Sequence, residues 1–321
     1  MRALQLQEAT GPDGLVLCEL DDPVPTDGMV LIEVHAAGVG FVDMLMTKGE
    51  YQIKPELPFV PGAEVAGVVV SGGGLAPGTR VAATTPFNGY AELALAPETL
   101  VFPIPDALAF DAAAGFVVNY QTAHLGLKRR GRLAPGETVL VHGAGGGVGT
   151  ASIDVAQALG AGLVIAVAGG AAKQEAARAA GADVVLDAAE DWKQAVREHT
   201  GGRGADVVVD PVGGDVLAES LRCMAPEGRL LVVGFASGRI PEIKVNRLLL
   251  RQHDLVGVNY GGAIGVDQGF SAEAAAEMFG WIEEGRLHPV VGAVYDLADG
   301  AEAMRAFAER RVTGKPVLLM R

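Results

Sequence analysis

Thr138-Val-Leu-Val-His-Gly-Ala-Gly-Gly-Gly-Val-Gly-Thr-Ala-Ser152 decides how this chain folds. A short run of buried-strand type enters a cluster of glycines and continues as a helix. Gly143, Gly146 and Gly149 let the backbone turn tightly, approach a pyrophosphate and pack the helix on the strand, while free N–H groups at the helix start face an anion. Ala144 occupies the first glycine of the strict G-x-G-x-x-G pattern, so the loop departs from the full fingerprint there.

The neighbouring sequence sets this loop in context. Thr138 to His142, Leu163 to Ala168, Val184 to Leu186, Asp206 to Asp210, Arg229 to Gly234 and Asp254 to Asn259 read as six strands. Ala-rich helical stretches, such as Gly149 to Gly160 and Ala172 to Ala180, lie between them. That alternation predicts a doubly wound parallel sheet over residues 123–261, with the glycine loop at its first strand-to-helix junction. Residues 1–122 differ: short β-branched runs at Met29 to Val34, Glu64 to Ser71, Arg80 to Thr84 and Tyr90 to Ala96 are broken by Gly and Pro, predicting an irregular, mostly antiparallel β domain. A helical stretch near Ala272 to Glu284 and a strand at Lys315 to Met320 are too little for a third domain, so 262–321 is expected to complete the first.

Composition excludes several roles. The chain has 321 residues, half of them apolar, enough for two cores. A net charge of -14 opposes nucleic acid and anionic lipid surfaces. No apolar run has signal-peptide form or membrane-spanning length, which predicts a cytoplasmic protein. Cys18 and Cys223, the only thiols, are too few and too far apart for a disulfide scaffold or a Cys-rich metal lobe. At the end of the second strand, Ala168-Gly-Gly-Ala-Ala-Lys173 offers no acid to a ribose 2′-hydroxyl, and Lys173 would attract a 2′-phosphate, so NADPH is expected over NADH.

Further stretches carry a resemblance: Leu57-Pro-Phe-Val-Pro-Gly-Ala-Glu-Val-Ala-Gly67, Asn119-Tyr-Gln-Thr-Ala123, Asp210-Pro-Val-Gly-Gly214, Val232-Val-Gly-Phe235 and Thr313-Gly-Lys315. Together with the glycine loop they make the chain similar to the zinc-free, zeta-crystallin-like quinone oxidoreductases of the medium-chain dehydrogenase/reductase superfamily. The resemblance implies a GroES-like β domain with a Rossmann domain. It implies cofactor contacts from Thr122, Ala144, Gly146, Gly147, Val148, Gly149, Gly169, Gly170, Lys173, Gly214, Gly234, Phe235, Asn259 and Tyr260, a tyrosine beside the nicotinamide at Tyr51, and a homodimer. An apolar sixth strand at the sheet edge, free of Pro and Lys, points to the same assembly.

Zinc-dependent members of that superfamily hold their metal with a Cys and a His at the positions of Gly40 and Ala63. Neither residue here is a ligand, and Glu64 alone is not a site. No metal is therefore expected. Without a Lewis acid to polarise a simple carbonyl, the expected reaction is hydride transfer to a quinone or another conjugated carbonyl. Tyr51 and Asn119 are the candidate donors to developing oxyanion charge. Gly40 and Leu45 stand where quinone oxidoreductases commonly carry Asn and often Tyr, and a more apolar pocket suits an enone or enoyl thioester as well. A non-catalytic NADPH-binding or structural role is the remaining alternative.

Overall fold

The computed structural model describes residues 1–320, apart from the side chain of Gln268. It divides into two compact units. The first contains Met1–Val118, Asp267–Glu283 and the chain from Pro289 onward; the second contains Asn119–Val266 and Glu284–His288.

In the first unit β1 (Arg2–Leu6) and β2 (Leu15–Glu19) form an antiparallel hairpin absent from the sequence reading. β3 (Met29–Gly38), β4 (Glu64–Ser71), β5 (Arg80–Thr84), β6 (Leu93–Pro97) and β7 (Val101–Pro103) follow. The second unit holds β8 (Thr138–His142), β9 (Leu163–Ala168), β10 (Val184–Asp187), β11 (Ala205–Asp210), β12 (Met224–Val232) and β13 (Asp254–Gly257). The chain then returns to the first unit with β14 (Val291–Asp296) and β15 (Lys315–Leu319).

The first unit's larger sheet runs β14-β15-β3-β4-β5-β7, with β6 also paired to β3. Its inward side chains, among them Ile32, Val34, Val65, Val69 and Val81, pack with Leu4, Leu6 and Tyr90 into one core. The second unit's sheet is parallel in the order β10-β9-β8-β11-β12-β13, the arrangement of a doubly wound dinucleotide fold. Helices cover both faces of such a sheet, which is why Val139, Leu140 and Val141 are all fully buried and β8 reads as a continuous apolar run.

One long element departs from expectation. The sequence places residues 110–122 in an irregular β region, but Phe110–His124 is an α-helix, continued by a π-helical stretch over Leu125–Arg130. Ala113, Ala114, Phe116, Val117, Tyr120 and Ala123 are all buried, so the helix lacks the polar face that would give an amphipathic period. β13 also stops at Gly257, short of the expected Asn259, because Asn259 turns to cap the next helix: its Oδ1 accepts from the Gly262 N–H at 3.0 Å.

Candidate functional site

The glycine loop lies where the first strand of the second unit's sheet ends. Gly143 takes a left-handed φ of 57°, and Gly146 is the N-cap of the helix Gly147–Ala158. A Cβ on Gly149 would lie 2.3 Å from the Gly143 carbonyl oxygen and 2.7 Å from Ala144 Cα, so only glycine lets this helix approach the strand. At Gly146 a Cβ would meet nothing nearer than the Gly143 oxygen at 3.4 Å. That space is open and is not filled by the core. No side chain caps the helix, and the N–H groups of Gly147, Val148 and Gly149 in its first turn have no intrahelical acceptor. Together with the helix dipole they form an anion cradle. Ala144 is fully buried, and its N–H donates to Val167 O at 3.2 Å, tying the loop to β9.

β9 leads through Gly169 and Gly170 into the helix Ala171–Ala179. A Cβ on Gly145 would fall 2.6 Å from Lys173 Cα and 2.5 Å from its carbonyl oxygen. The absent side chain at Gly145 therefore lets Lys173 sit directly against the glycine loop. Lys173 is half-buried and has no ion pair among the described residues. Sequence reasoning missed an acid nearby: Asp187, last residue of β10, is paired in register with Ala168. Its carboxylate accepts from Gln174 Nε2 at 3.0 Å and from the Ala189 N–H at 2.9 Å. Reading strand ends beyond the second would have found it.

Other expected contacts are distributed around the same sheet. The Gly214 N–H donates to Arg239 O at 3.0 Å, and Phe235 is partly exposed with its ring over Gly213. Asp210, buried at the end of β11, accepts from the N–H groups of Val212 and Gly213 at 2.8 and 2.9 Å and shapes that turn, while burial raises its pKa. Gly234 lies against Pro211, Tyr260 is buried, and Thr122 and Asn119 are buried on the helix Phe110–His124. The Asn119 amide has no protein partner among the described residues.

His142 hydrogen-bonds Ser220 Oγ at 2.8 Å and stacks edge-on against Trp192; burial lowers its pKa to about 3, so it is a neutral packing residue. Asp154, on the helix that follows the glycine loop, accepts from the Tyr120 hydroxyl at 3.0 Å and from the His288 N–H at 2.8 Å. Burial raises its pKa, and those two bonds oppose the rise.

In the first unit Tyr51 is half-buried against the core, its hydroxyl without a partner among the described residues. Nearby in the sequence, the Gly40 N–H donates to Asp43 Oδ2 at 2.7 Å. Asp43 is 1% exposed, and burial raises its pKa to about 6 against the opposing pull of Lys315. Glu64 forms a buried ion pair with Lys315, and its second oxygen accepts from the Val118 N–H at 2.8 Å. The carboxylate nearest a zinc site's position is thus neutralised by an ammonium. With Gly40 and Ala63 beside it, the donor set does not fit zinc. Among the described residues no group of three potential ligand side chains converges.

A doubly wound sheet, a glycine-cradled helix start and a lysine against it define a dinucleotide-binding oxidoreductase fold. Comparison with known proteins agrees and narrows the class. Residues 26–106 match the family model described as "Alcohol dehydrogenase GroES-like domain", and residues 147–279 match "Zinc-binding dehydrogenase". The chain is 38% identical to a quinone oxidoreductase-like protein 2 homolog of Nematostella vectensis over 90% of its length and 81% of the relative's. It is 35% identical to the quinone oxidoreductase of Homo sapiens, covering all of this chain and 98% of that one. The quinone oxidoreductase of Thermus thermophilus, solved alone and with NADPH, superposes with a TM-score of 0.87 at 35% identity over the full length of both chains. The chain belongs to the quinone oxidoreductase family of the medium-chain dehydrogenase/reductase superfamily.

Proposed function

We propose that this protein is an NADPH-dependent, zinc-independent oxidoreductase that reduces a quinone or another conjugated carbonyl compound. The observation that carries the reading is the uncapped helix start at Gly146, an anion cradle, with the backbone of Lys173 packed against the neighbouring Gly145. The relatives named for quinone reduction, one of them solved with NADPH, support it. NADPH supplies the hydride, from the nicotinamide C4.

The chain's own residues do the rest. The first-turn N–H groups and the glycine loop would hold the pyrophosphate, and Lys173 would meet the 2′-phosphate through a charge-assisted contact. Asp187 is oriented by Gln174 and Ala189, one bond to each of its oxygens. Tyr51 and Asn119 are each proposed as a candidate donor to the negative charge that develops on the acceptor oxygen. No metal takes part, since Glu64 is held by Lys315. Gly40, without a side chain, favours the second reading, an enone or enoyl thioester as acceptor.

We further read the protein as cytoplasmic, acting on a small molecule, and as a homodimer joined through β13. Among the described residues no helix is long and apolar enough to cross a membrane. β13 ends the six-stranded sheet. The Val258 N–H donates to Val232 O at 2.9 Å, inward, so by strand alternation Leu255 presents its backbone groups outward, while the outward Gly257 carbonyl oxygen accepts from Arg130 Nε at 3.1 Å. A proline at Val258 would therefore break the protein's own ladder, and Leu255 is the position that tests pairing with a second chain.

Steady-state NADPH oxidation across quinones, enones and enoyl thioesters, with and without a chelator, tests the function. Turnover of at least one class unaffected by the chelator is expected. Tight NADPH binding with no turnover of any class would replace this reading by a non-catalytic one.

A further inference from the structure

The glycine loop lies at the carboxyl end of the parallel sheet. At the opposite, amino end four arginines line one small concavity. Arg197 comes from the last turn of the helix Trp192–His199 and Arg251 from the last turn of Asn246–Arg251. Arg203 lies in the turn before β11, and Arg222 in the turn before β12. The remaining lining residues are glycines, Cys223 and Met224, with no carboxylate among them.

The charges do not balance locally. Arg203 pairs with Asp206 at 2.5 Å and Arg222 with Glu219 at 3.4 Å, but Lys193 also claims Glu219, at 3.2 Å. Arg197 reaches only the Arg222 carbonyl oxygen at 3.5 Å, and neither it nor Arg251 has a carboxylate partner among the described residues. Acidic side chains outnumber basic ones 39 to 25 in this chain, so an uncompensated basic cluster runs against its composition. Cations at helix C-termini interact favourably with the helix dipole, which accounts for Arg197 and Arg251 separately. It does not account for the two loop arginines that converge on the same space. Guanidinium forks match the oxygens of a phosphate group and bind it through charge-assisted, often bidentate hydrogen bonds. The concavity is shallow, with only ≈ 10 Å³ of enclosed space, so it admits a single small group at its mouth and no larger ligand.

We propose that this arginine-lined concavity is a second anion site, distinct from the cofactor cradle, that binds a phosphate group through Arg197 and Arg251 with Arg203 and Arg222 beside them. The phosphate is free or is the terminal group of a small phosphorylated metabolite. Binding there joins the ends of two helices to the starts of β11 and β12, and therefore stabilises the folded second unit in proportion to ligand concentration.

The test is calorimetric titration of inorganic phosphate and of glycerol phosphate, at ionic strength held constant with chloride so that screening is not the signal. Three proteins are compared: the parent, Arg197→Gln/Arg251→Gln and Lys173→Ala. Expected is saturable binding to the parent and to Lys173→Ala, weakened at least about tenfold in the arginine pair. Equal affinity for the ester identifies a phosphorylated metabolite as the ligand class, and preference for inorganic phosphate identifies the free ion. The proposal is overturned if the parent shows no saturable binding, if Lys173→Ala abolishes it, which would place it in the cofactor cradle, or if the arginine pair leaves it unchanged. Both arginines are exposed, and melting in chloride verifies folding; should the double variant fail to fold, Arg251→Gln alone must weaken binding in the same direction.

Discussion

Replacing Gly146 by valine separates folding from cofactor binding. A Cβ at this N-cap meets only one protein atom, the Gly143 oxygen at 3.4 Å, and the backbone at φ -92° and ψ 173° is extended, a conformation valine adopts without strain. Loss of stability should stay within about 1 kcal/mol, the scale of an N-cap change. The isopropyl group nevertheless fills the space in front of the N–H groups of Gly147, Val148 and Gly149. Hydrogen bonds to a charged group contribute about 1.5–3 kcal/mol each. Losing two of three removes about 3–6 kcal/mol, so the dissociation constant for NADPH should rise at least about 100-fold. NADH should lose comparably, because the pyrophosphate is common to both. Fluorescence titration of each cofactor, with a melting curve of the same preparation, reads the result. Gly149→Ala provides the contrast: its Cβ would stand 2.3 Å from Gly143 O, so it should lower the melting temperature before binding is considered. Unaltered titrations of folded Gly146→Val would show that the pyrophosphate lies elsewhere.

Lys173→Ala should narrow the preference for NADPH over NADH by about 10- to 100-fold, the equivalent of one charge-assisted contact; equal dissociation constants for the two cofactors in the parent would refute the assignment. Elemental analysis should find far less than one zinc per chain, and a stoichiometric content would overturn the reading of Gly40, Ala63 and the Glu64–Lys315 pair. Leu255→Pro removes an outward donor from β13 while leaving its bonds to β12, so light scattering should show a weaker dimer; an undisturbed dimer would move the interface off this strand. Asp43 titrates at about 6 in the folded protein against an ordinary value of 3.8, so the folded state holds the proton more tightly. Its contribution is present in full below about pH 4 and is lost as pH rises through 6, an effect of about 2–3 kcal/mol. Lys315, Glu64, Tyr90 and the Gly40 N–H face it and remain unchanged in Asp43→Asn. The stability of that variant relative to the parent should therefore increase from pH 4 to 7, and a flat difference in denaturant titrations would refute the burial argument.

The residues that local periodicity governs were legible in the sequence. β8 and β9 have the bounds read from their apolar runs, and the glycine turn follows β8 as read, though it ends at Gly146 and the helix begins at Gly147 rather than at Gly149. The helix Phe110–His124 was not legible, because burial on most faces erases the polar stripe that marks a helix. Nor was the pairing of Glu64 with Lys315, which lie far apart in sequence and meet only through the order β15-β3-β4. The loss of zinc ligands could be read from Gly40 and Ala63, but not what neutralises the carboxylate left behind. The outward register of β13 was likewise hidden: alternation shows which residues share a face, and only the pairing with β12 fixes which backbone groups point away.

Asp154 carries a consequence for anyone wishing to cut this protein. The segment Glu284–His288 belongs to the second unit although residues 267–283 do not, and the His288 N–H is one of two donors to a carboxylate buried on the cofactor helix. Arg286 adds a second tie to that helix, donating to Ala158 O near its end. A contiguous fragment ending at Val266 would keep all six strands and the glycine loop, yet leave Asp154 with the Tyr120 hydroxyl alone. The smallest autonomous nucleotide-binding piece is thus discontinuous in sequence, and a faithful excision must splice the short strap Glu284–His288 back onto the sheet that it fastens.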